Sequence, residues 1–486
     1  MDKIYWIFTT LLFLTDLALR IGLSLRIIMR KREASVSFAW LIIILLFPFA
    51  GAFIYLMFGE VRLGERRAKR LITQRPLISQ WTKDLADRVH VDWDDLNPEC
   101  IPINRQINNT VTIPAMPDNS LELISNPLLF LRKLIQDIKH ASSSCVLEFY
   151  VWNLGGLADA VGEALIDACS RAVSCRVLVD SIGSRSFLNS KLAHRMRAAG
   201  VEISEALPAG LLHIIFVRID VRNHRKIAVI DGKIAYTGSQ NLVDPRFYKK
   251  EHGVGEWIDT MVRIQGPVVE VLAASFAYDW MMENEKGLEA LVAAFDTHPV
   301  SPHGNAVVQP VPSGPSLEED TIDNLLLTTI YAARKELILT TPYFVPDNAI
   351  LAALKSAARR GVRVIIILPE KNDSRLVHYA SRARFEKLCK AGVHIMAFSG
   401  GLLHAKTITV DSDFCLFGSV NLDMRSFWLN FEMTLFIYDK EFTSKLRDLQ
   451  YSYLENARQV TLKEVKDRSF GERFKENTAL LLGPLL

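Results

Sequence analysis

Two short segments of the chain carry the same reactive residue types at the same spacing. The first segment reads HRKIAVID and then GSQN, and its candidate reactive residues are His224, Lys226, Asp231, Ser239 and Asn241. The second reads HAKTITVD and then GSVN, and the corresponding residues are His404, Lys406, Asp411, Ser419 and Asn421. Each residue of the second set follows its counterpart by 180 positions. A constant offset over two separate motifs indicates an internal duplication.

The residue types suit chemistry at a phosphorus atom. A histidine and a lysine two residues apart on a strand point to the same face, where imidazole and ammonium can converge on one anion. The G-S-x-N segment adds a hydroxyl, an amide and backbone N–H groups, which suit phosphate oxygens. If the two sets meet, one imidazole can attack phosphorus while the other protonates the leaving oxygen. The two lysines would then stabilise the negative charge that develops.

The roles of the acidic residues are less defined. Asp231 and Asp411 fall on the opposite face of a regular strand from the lysine, or at its end, so a catalytic role and a structural turn role both stay open. An acid that follows each G-S-x-N could orient a histidine. Glu432 is the candidate in the second copy and Asp259 in the first copy, where Glu251 and Glu256 compete with it. A surface ion pair is the alternative for these acids.

A metal site is disfavoured by the surrounding residues. No HxH, HExxH or Cys/His cluster accompanies the two histidines in the sequence. The neighbouring lysines would also repel a cation. The sequence therefore predicts no metal and no other cofactor.

Alternating helices and strands surround each motif. In the first copy, helices at 128–138 and 158–172 alternate with apolar strands at 146–152 and 175–181. In the second, helices at 320–333 and 349–359 alternate with strands at 336–343 and 362–369. This order predicts an α/β fold, built as a duplicated, pseudo-two-fold α/β sandwich. The predicted halves cover 126–298 and 318–460, after a linker at 71–125. A Pro-rich linker at 299–317 separates them.

Two apolar runs precede the body, from Ile4 to Leu25 and from Phe38 to Phe58. Each is long enough to cross about 30 Å of hydrocarbon as a helix, so residues 1–70 are predicted to form a membrane anchor with two transmembrane helices. Asp16 and Arg20 are spaced to pair with each other on one helix face. The basic flank after the second run slightly exceeds the connection between the runs, which favours a cytoplasmic body. Residues 461–486 form a tail that either lies on the membrane interface or is frayed.

The charge distribution supports a membrane partner. Residues 1–75 carry 12 Lys and Arg against 5 Asp and Glu, a net charge of +7, whereas the remaining residues carry 45 against 49, a net charge of −4. Basic charge beside apolar runs fits an anionic membrane surface. The acidic body argues against a nucleic-acid groove. The six cysteines form no CxxC pair and are predicted to be buried free thiols.

The two motif sets resemble the paired HKD motifs of the phospholipase D superfamily. The resemblance extends to the strings EFYVWNLGG, YTGSQNLVDPRFY, TTPYFVP, LPEKNDS, GGLLHAK and GSVNLDMRSFWLNFE. Together with the two N-terminal runs, these strings are similar to bacterial cardiolipin synthases of the two-span type over essentially the whole chain.

The resemblance implies an enzyme of the bacterial inner membrane. It implies phosphatidyl transfer between two phosphatidylglycerol molecules through a phosphatidyl-histidine, which gives cardiolipin and glycerol without a metal. It also implies that the motif aspartates are structural and that an acid supports each histidine. A membrane-bound hydrolase that releases phosphatidic acid is the alternative, and a tethered nuclease is less favoured. Asp259 stands where the second copy has Glu432, so the nucleophile stays open between His224 and His404.

Overall fold

The computed structural model describes residues 2–30, 34–60, 62, 64–208, 218, 220–249, 253–284, 296–315 and 320–481. Contacts within the chain divide it into two units. The smaller unit comprises residues 1–68 and 209–221, and the larger comprises residues 69–208 and 222–486.

The N-terminal unit is helical. Its helices are Asp2–Met29, Ala34–Leu46 and Pro48–Ile54, followed by a π-helical turn at Tyr55–Gly59. The second apolar run is divided at Phe47, whose non-helical backbone precedes Pro48. Proline has no N–H to donate and disfavours a helical residue before it. The predicted ion pair within the first helix is confirmed, with Arg20 Nε 2.8 Å from Asp16 Oδ2.

Within the described residues, no helix combines the length and the apolar character that crossing a bilayer requires. The predicted hairpin of two transmembrane helices is therefore not confirmed.

The larger unit is an α/β structure with strands β1 to β20. The strands are β1 Met116–Ile124, β2 Ser144–Phe149, β3 Ser174–Asp180, β4 Glu202–Ala206, β5 Arg222–Asn223, β6 Lys226–Ile230, β7 Ile234–Gly238, β8 Trp257–Ile258, β9 Met261–Gln265, β10 Ala306–Ser313, β11 Glu336–Thr340, β12 Phe344–Val345, β13 Arg363–Pro369, β14 His394–Phe398, β15 Leu402–Leu403, β16 Thr407–Val410, β17 Phe414–Gly418, β18 Leu422–Asp423, β19 Asn430–Tyr438 and β20 Ala457–Gln459. The helices are Glu65–Arg88 (which begins in the N-terminal unit), Cys100–Thr110, Pro127–His140, Leu157–Ser170, Arg185–Leu188, Lys191–Ala198, Val268–Glu283, Thr321–Ala332, Asn348–Arg359, Arg375–Lys390, Met424–Trp428, Lys440–Glu455, Leu462–Lys466 and Phe470–Leu481. Each predicted helix and strand of the two copies is present, with shifts of a few residues at its ends.

The strand order repeats about the centre of one large sheet. The order is β20-β14-β13-β11-β16-β17-β19-β10-β1-β9-β7-β6-β2-β3-β4. From β1 outward, four antiparallel pairings are followed by two parallel pairings. From β10 outward the same series recurs. This repeat matches the predicted duplicated α/β architecture.

The segments predicted as linkers contribute strands to this sheet. Residues 71–125 include β1, and residues 299–317 include β10, so each half begins one strand earlier than the sequence suggested. Because proline is rarely found in a central strand, Pro310 and Pro312 led to the prediction of a linker where β10 lies. The two prolines are tolerated because β1 pairs with β10 only at residues 306 and 308. Pro310 and Pro312 lie beyond the end of that pairing, so their missing N–H groups cost no hydrogen bond to β1. The two halves also form one compact unit.

Alternating side chains of the strands bury both faces of the sheet. In the first half, Leu147 and Phe149 pack into one core with helices Pro127–His140 and Leu157–Ser170. Val146 and Val229 face the other side, where helix Val268–Glu283 covers them. The second half repeats this arrangement with its own helices on each face. Helices on both faces leave the carboxyl ends of the parallel strands open for a site.

The predicted C-terminal tail is helical over its described part. Arg468 Nη1 lies 2.6 Å from Glu476 Oε2, and Arg382 Nε lies 3.0 Å from Glu476 Oε1. Glu476 is buried by these contacts, so residues 462–481 are not frayed. Residues 482–486 lie outside the described residues.

Candidate active site

The two histidines lie at equivalent places in the repeat. His224 lies between the short strand β5 and β6, and His404 follows β15 and precedes β16. Lys226 begins β6 opposite Phe149 at the carboxyl end of β2. Lys406 directly precedes β16, whose Thr407 pairs with Thr340 at the carboxyl end of β11. The carboxyl edge of each half therefore presents one His–Lys set.

Short parallel pairings carry each histidine across to the opposite half. Strand β5 pairs with β19, and the N–H of His224 donates to the carbonyl of Phe431 at 2.8 Å. Strand β15 pairs with β8, and the N–H of His404 donates to the carbonyl of Ile258 at 2.8 Å. These two reciprocal crossings bring the motif of one half beside the acid of the other half.

The supporting acids act across the pseudo-two-fold axis. His224 Nδ1 lies 2.8 Å from both carboxylate oxygens of Glu432, and His404 Nδ1 lies 2.7 Å from Asp259 Oδ1. Because a carboxylate only accepts, Nδ1–H donates in each pair and Nε2 is left with a lone pair. Glu256, a sequence competitor, is exposed, whereas Glu251 lies outside the described residues. Neither half can complete its own histidine.

The serines of the G-S-x-N segments contact these acids. Ser239 Oγ donates to Asp259 Oδ1 at 2.7 Å and accepts from the N–H of Thr260. Ser419 Oγ donates to Glu432 and accepts from the N–H of Met433. The sequence predicted that both hydroxyls bind a phosphate. Each hydroxyl instead donates to a supporting acid and accepts from a strand N–H, so its only proton is already used. Their geometry fits a role in positioning the acids.

The two asparagines hold loops beside the site. Asn241 Oδ1 accepts from the N–H of Val151 at 3.2 Å. Asn421 Nδ2 lies 3.2 Å from Ser426 Oγ, while its buried Oδ1 has no hydrogen-bond partner among the described residues. Their predicted contact with a phosphate remains a prediction.

Both lysines are almost fully buried at the centre of the site. Lys226 is 0% exposed and Lys406 is 4% exposed. The Nζ atom of each donates to the carbonyl of its own motif histidine at 2.6 Å. Burial lowers the pKa of Lys226 to about 8, although Glu432, Asp259 and other acids oppose the shift. Burial and the charge of Lys226 lower the pKa of Lys406 to about 7. The charges of both supporting acids, Glu432 and Asp259, therefore act on both lysines.

Burial also keeps both imidazoles neutral. It lowers the pKa of His224 to about 4 even though Glu432 favours the charged form. It lowers the pKa of His404 to about 4 against the opposing effect of Asp259. Burial alone would raise the pKa of Asp259, but the charge and hydrogen bond of His404 lower it to about 2. Near pH 7 each Nε2 is therefore available as a nucleophile or a base.

We expect the activity to decline on the alkaline side because of the lysines. A lysine is charged only below its pKa, so kcat/KM should fall as pH rises through about 7 to 8. A profile of kcat/KM from acid to alkaline pH measures this decline. In Lys406→Arg the side chain stays charged, so the part of the decline that Lys406 causes should move to higher pH. A wild-type profile that stays flat above pH 9 would contradict this assignment.

The motif aspartates lie at the opposite end of the strand from the histidines. Asp231 follows β6 and accepts from the backbone N–H groups of Ser142, Ser143 and Ser144. Asp411 accepts in the same way from the N–H groups of residues 334–336. Asp231 lies five positions after Lys226 along the strand, a span of roughly 17 Å at 3.3 Å per residue. The catalytic alternative is not supported by this geometry, and both aspartates secure the turn to the amino end of the neighbouring strand.

Asp231→Ala is expected to reduce stability more than chemistry. It leaves three backbone donors without their charged acceptor, which should lower the free energy of unfolding by about 2–3 kcal/mol. The melting temperature measures this loss. Below the melting range, kcat should change less than about tenfold. Asp167→Ala, which removes an exposed pair with Arg171, is the matched control and should change stability little. A large loss of kcat at unchanged stability would instead indicate a catalytic role for Asp231.

Sequence reasoning missed several residues that enclose the site. The Tyr150 ring lies 5.1 Å from the His224 ring, and the Trp257 ring lies 4.5 Å from the His404 ring. Tyr150 stands in the string EFYVWNLGG, and Trp257 lies in β8, two residues before Asp259. The signal available in the sequence was that both residues are aromatic and lie close to predicted site residues.

A buried ionic network supports the first motif. Arg225 is 1% exposed, contacts Asp279, and donates from Nε to the carbonyl of Glu432 at 3.0 Å. Asn223 Nδ2 donates to Glu148 Oε1. The second copy has Ala405 in place of Arg225. The duplication is therefore not symmetric behind the two histidines.

Metal-ligating residues do not cluster in the described part of the chain, where no group of three or more His, Cys, Asp or Glu could hold an ion. Four of the cysteines are buried free thiols, as predicted, namely Cys100, Cys145, Cys175 and Cys415. Cys169 and Cys389 are free and partly buried.

Comparison with known proteins agrees with the duplicated site. A family model described as "Cardiolipin synthase, PLD-like domain" matches residues 134–280 and 326–450, and a "Phospholipase_D-nuclease N-terminal" model matches residues 18–60. Cardiolipin synthase A of Klebsiella pneumoniae is 41% identical over 486 residues and 100% of both chains. Cardiolipin synthase A of Edwardsiella ictaluri is 42% identical over 465 residues and 96% of both chains.

A solved structure shares the fold. Phosphatidylserine synthase from Haemophilus influenzae Rd KW20 aligns with a TM-score of 0.59 and 14% sequence identity, covering 79% of this chain and 100% of that chain. At this identity the likeness shows the α/β fold of the larger unit. The full-length identity to curated relatives and the match to both halves go further: the chain belongs to the cardiolipin synthase family of phospholipase D-like proteins.

Proposed function

We propose that this protein is a phosphatidyltransferase that makes cardiolipin and glycerol from two molecules of phosphatidylglycerol. The observation that carries the proposal is the reciprocal site, in which each motif histidine is completed by an acid from the other half. This arrangement brings two neutral imidazoles within electrostatic reach of both buried lysines. Relatives named cardiolipin synthase A match over the full length of the chain, which favours lipid transfer over other reactions of the superfamily.

The proposed reaction proceeds in two displacements at one phosphorus atom. In the first, Nε2 of one histidine forms a bond to phosphorus, the bond from phosphorus to the glycerol oxygen breaks, and the second histidine gives that oxygen a proton. In the second, a hydroxyl oxygen of the acceptor phosphatidylglycerol forms a bond to phosphorus, the bond from phosphorus to the histidine nitrogen breaks, and the hydroxyl proton passes to the second histidine. The negative phosphodiester favours protonation of that histidine when substrate binds, despite its low pKa in the empty site.

The lysines and acids have distinct proposed roles. Lys226 and Lys406 stabilise the extra negative charge of the five-coordinate phosphorus, where a cation in a water-poor site is most effective. Glu432 and Asp259 hold the Nδ1 protons and so direct both Nε2 atoms to the substrate. Ser239 and Ser419 orient the two carboxylates. Holding the acceptor lipid in place gives its hydroxyl an effective concentration that lets it compete with water.

We propose that the N-terminal unit attaches the enzyme to the bacterial inner membrane, with the catalytic body on the cytoplasmic side. Its helices expose large apolar side chains: Trp6 is 73% exposed, Phe8 64% and Phe38 64%. Exposed aromatic and aliphatic groups at this density are typical of lipid contact. The basic excess of residues 1–75 would face anionic head groups. Phe470 and Phe474 on the last helix are also exposed and suit the same interface.

Product analysis tests the proposed function. The full-length protein is incubated with phosphatidylglycerol vesicles, with and without a strong chelator, and the lipids are separated. We expect cardiolipin and glycerol in both conditions. Phosphatidic acid without cardiolipin would replace the proposal by the hydrolase alternative. Degradation of nucleic acid with no lipid product would favour a tethered nuclease.

A further inference from the structure

The polar surroundings of the two histidines differ. On the His224 side, Asp180 lies at the end of β3 and is 0% exposed. It accepts from the N–H groups of Ile182, Gly183 and Asn223, and its carboxylate pairs with Arg222. These contacts use the carboxylate entirely within the protein, so Asp180 has no free acceptor to offer a ligand.

The His404 side carries a polar cluster that reaches solvent. After β13, the strand that corresponds to β3, Asp373 lies with its Oδ1 2.8 Å from Tyr343 Oη and its Oδ2 3.1 Å from Lys249 Nζ. The Lys249 side chain is 32% exposed. Each carboxylate oxygen of Asp373 accepts one hydrogen bond from the described residues, and each can accept another. The cluster therefore has acceptor and donor capacity beyond its own contacts.

Trp257 links this cluster to His404. The Lys249 Nζ atom lies 5.1 Å from the Trp257 ring centroid, and that ring lies 4.5 Å from the His404 ring. Trp257 is 4% exposed, and its Nε1–H has no acceptor among the described residues. A buried donor that lacks an acceptor is costly, so this N–H is available to a ligand oxygen.

The geometry points to a glycerol-binding subsite formed by Tyr343, Asp373 and Lys249 beside His404. The inference rests on the proposed function and names the part of the site that takes the alcohol. A glycerol head group presents neighbouring hydroxyls, which donate to a carboxylate and accept from an ammonium group. A site built to bond such hydroxyls discriminates strongly against an alcohol that lacks them.

One subsite can serve both displacements, because the leaving alcohol and the attacking alcohol are both glycerol groups. The glycerol that departs in the first step takes its proton from the histidine beside the subsite. The acceptor glycerol hydroxyl then binds in the same place and returns a proton to that histidine as its oxygen bonds to phosphorus. His404 thus carries the proton, and His224, on the opposite side, forms and loses the bond to phosphorus.

Competition between two alcohols tests the subsite. The full-length enzyme in phosphatidylglycerol vesicles receives labelled glycerol and ethanol, and the labelled phosphatidylglycerol and phosphatidylethanol are counted. The wild type should prefer glycerol. Asp373→Asn should reduce that preference about tenfold, as expected for loss of a charged hydrogen-bond acceptor, with a smaller fall in total turnover. Tyr343→Phe, which removes only a hydroxyl, should reduce the preference by a smaller factor.

Control measurements separate the possible failures. Glu163→Gln removes an exposed pair with Arg195 on the other half and should leave the preference unchanged. If the wild type forms only phosphatidic acid, the proposed function fails. If the wild type makes cardiolipin but shows no preference for glycerol, or if both variants keep the preference, the subsite is wrong. Tyr343→Phe keeps the test decisive if Asp373→Asn does not fold.

Discussion

Replacing either motif histidine by alanine is expected to lower cardiolipin formation by about 10⁴-fold. His224 and His404 act in the same displacement, so removing one leaves the other without its partner step. Both side chains are buried against an acid of the opposite half, so we expect His224→Ala and His404→Ala to lose activity for the same reason. Initial rates with phosphatidylglycerol vesicles measure the effect. His194→Ala, on an exposed helix position, is the control and should retain full activity.

A donor lipid with an activated leaving group distinguishes the two histidines. A phosphatidyl p-nitrophenyl ester needs no protonation of its leaving oxygen, so His404→Ala should still release p-nitrophenol in one burst. His224→Ala should release none, because it lacks the atom that bonds to phosphorus. A burst from His224→Ala instead would reverse the assignment. Substantial cardiolipin formation by either variant would mean that the two halves do not share a site.

Replacing Lys226 or Lys406 by methionine is expected to lower kcat by about 10²- to 10³-fold. Methionine keeps much of the length and apolar stem of lysine but removes the cation that faces the developing charge. Because burial disfavours the ammonium form of both lysines, the uncharged side chain should not reduce the melting temperature. Activity should therefore fall while stability is kept or increases.

Kinetics and calorimetry together check the lysine prediction. Lys390→Met, at an exposed pair with Glu386, is the matched control and should affect neither quantity. Lys226→Arg and Lys406→Arg restore the charge in a larger group and should recover part of the lost kcat. A methionine variant that retains more than a tenth of the wild-type kcat would contradict a role for that lysine in stabilising the transition state.

Each motif histidine is paired with an acid of the other half. This explains why the sequence identifies the reactive residues but not how they are arranged. The repeated spacing of His224 and His404 reveals both sets of reactive groups, because strand geometry fixes which side chains share a face. It does not reveal that Glu432 serves His224 and Asp259 serves His404. That arrangement depends on the pairings of β5 with β19 and of β15 with β8, which join residues about 200 and 150 positions apart.

Proline content misled the prediction of the domain boundaries. Residues 299–317 have the composition of a linker, yet Pro310 and Pro312 lie in β10 at the centre of the sheet. Composition reports local preference, whereas β10 is stabilised along its length by pairing with β19. The same limit applies to the second apolar run, where local hydropathy predicted one long helix and the backbone changes direction at Phe47.

By itself, the sequence determined the duplication, the α/β class, the identity of the paired histidines and lysines, and the family resemblance. These features depend on residue type and short-range spacing, which are explicit in the chain. Only the tertiary structure decided which acid completes which histidine, that Asp231 and Asp411 secure turns, and that Tyr343, Asp373 and Lys249 form a polar cluster beside His404. Those features depend on contacts between distant segments, whose partners are chosen by the packing of the whole sheet.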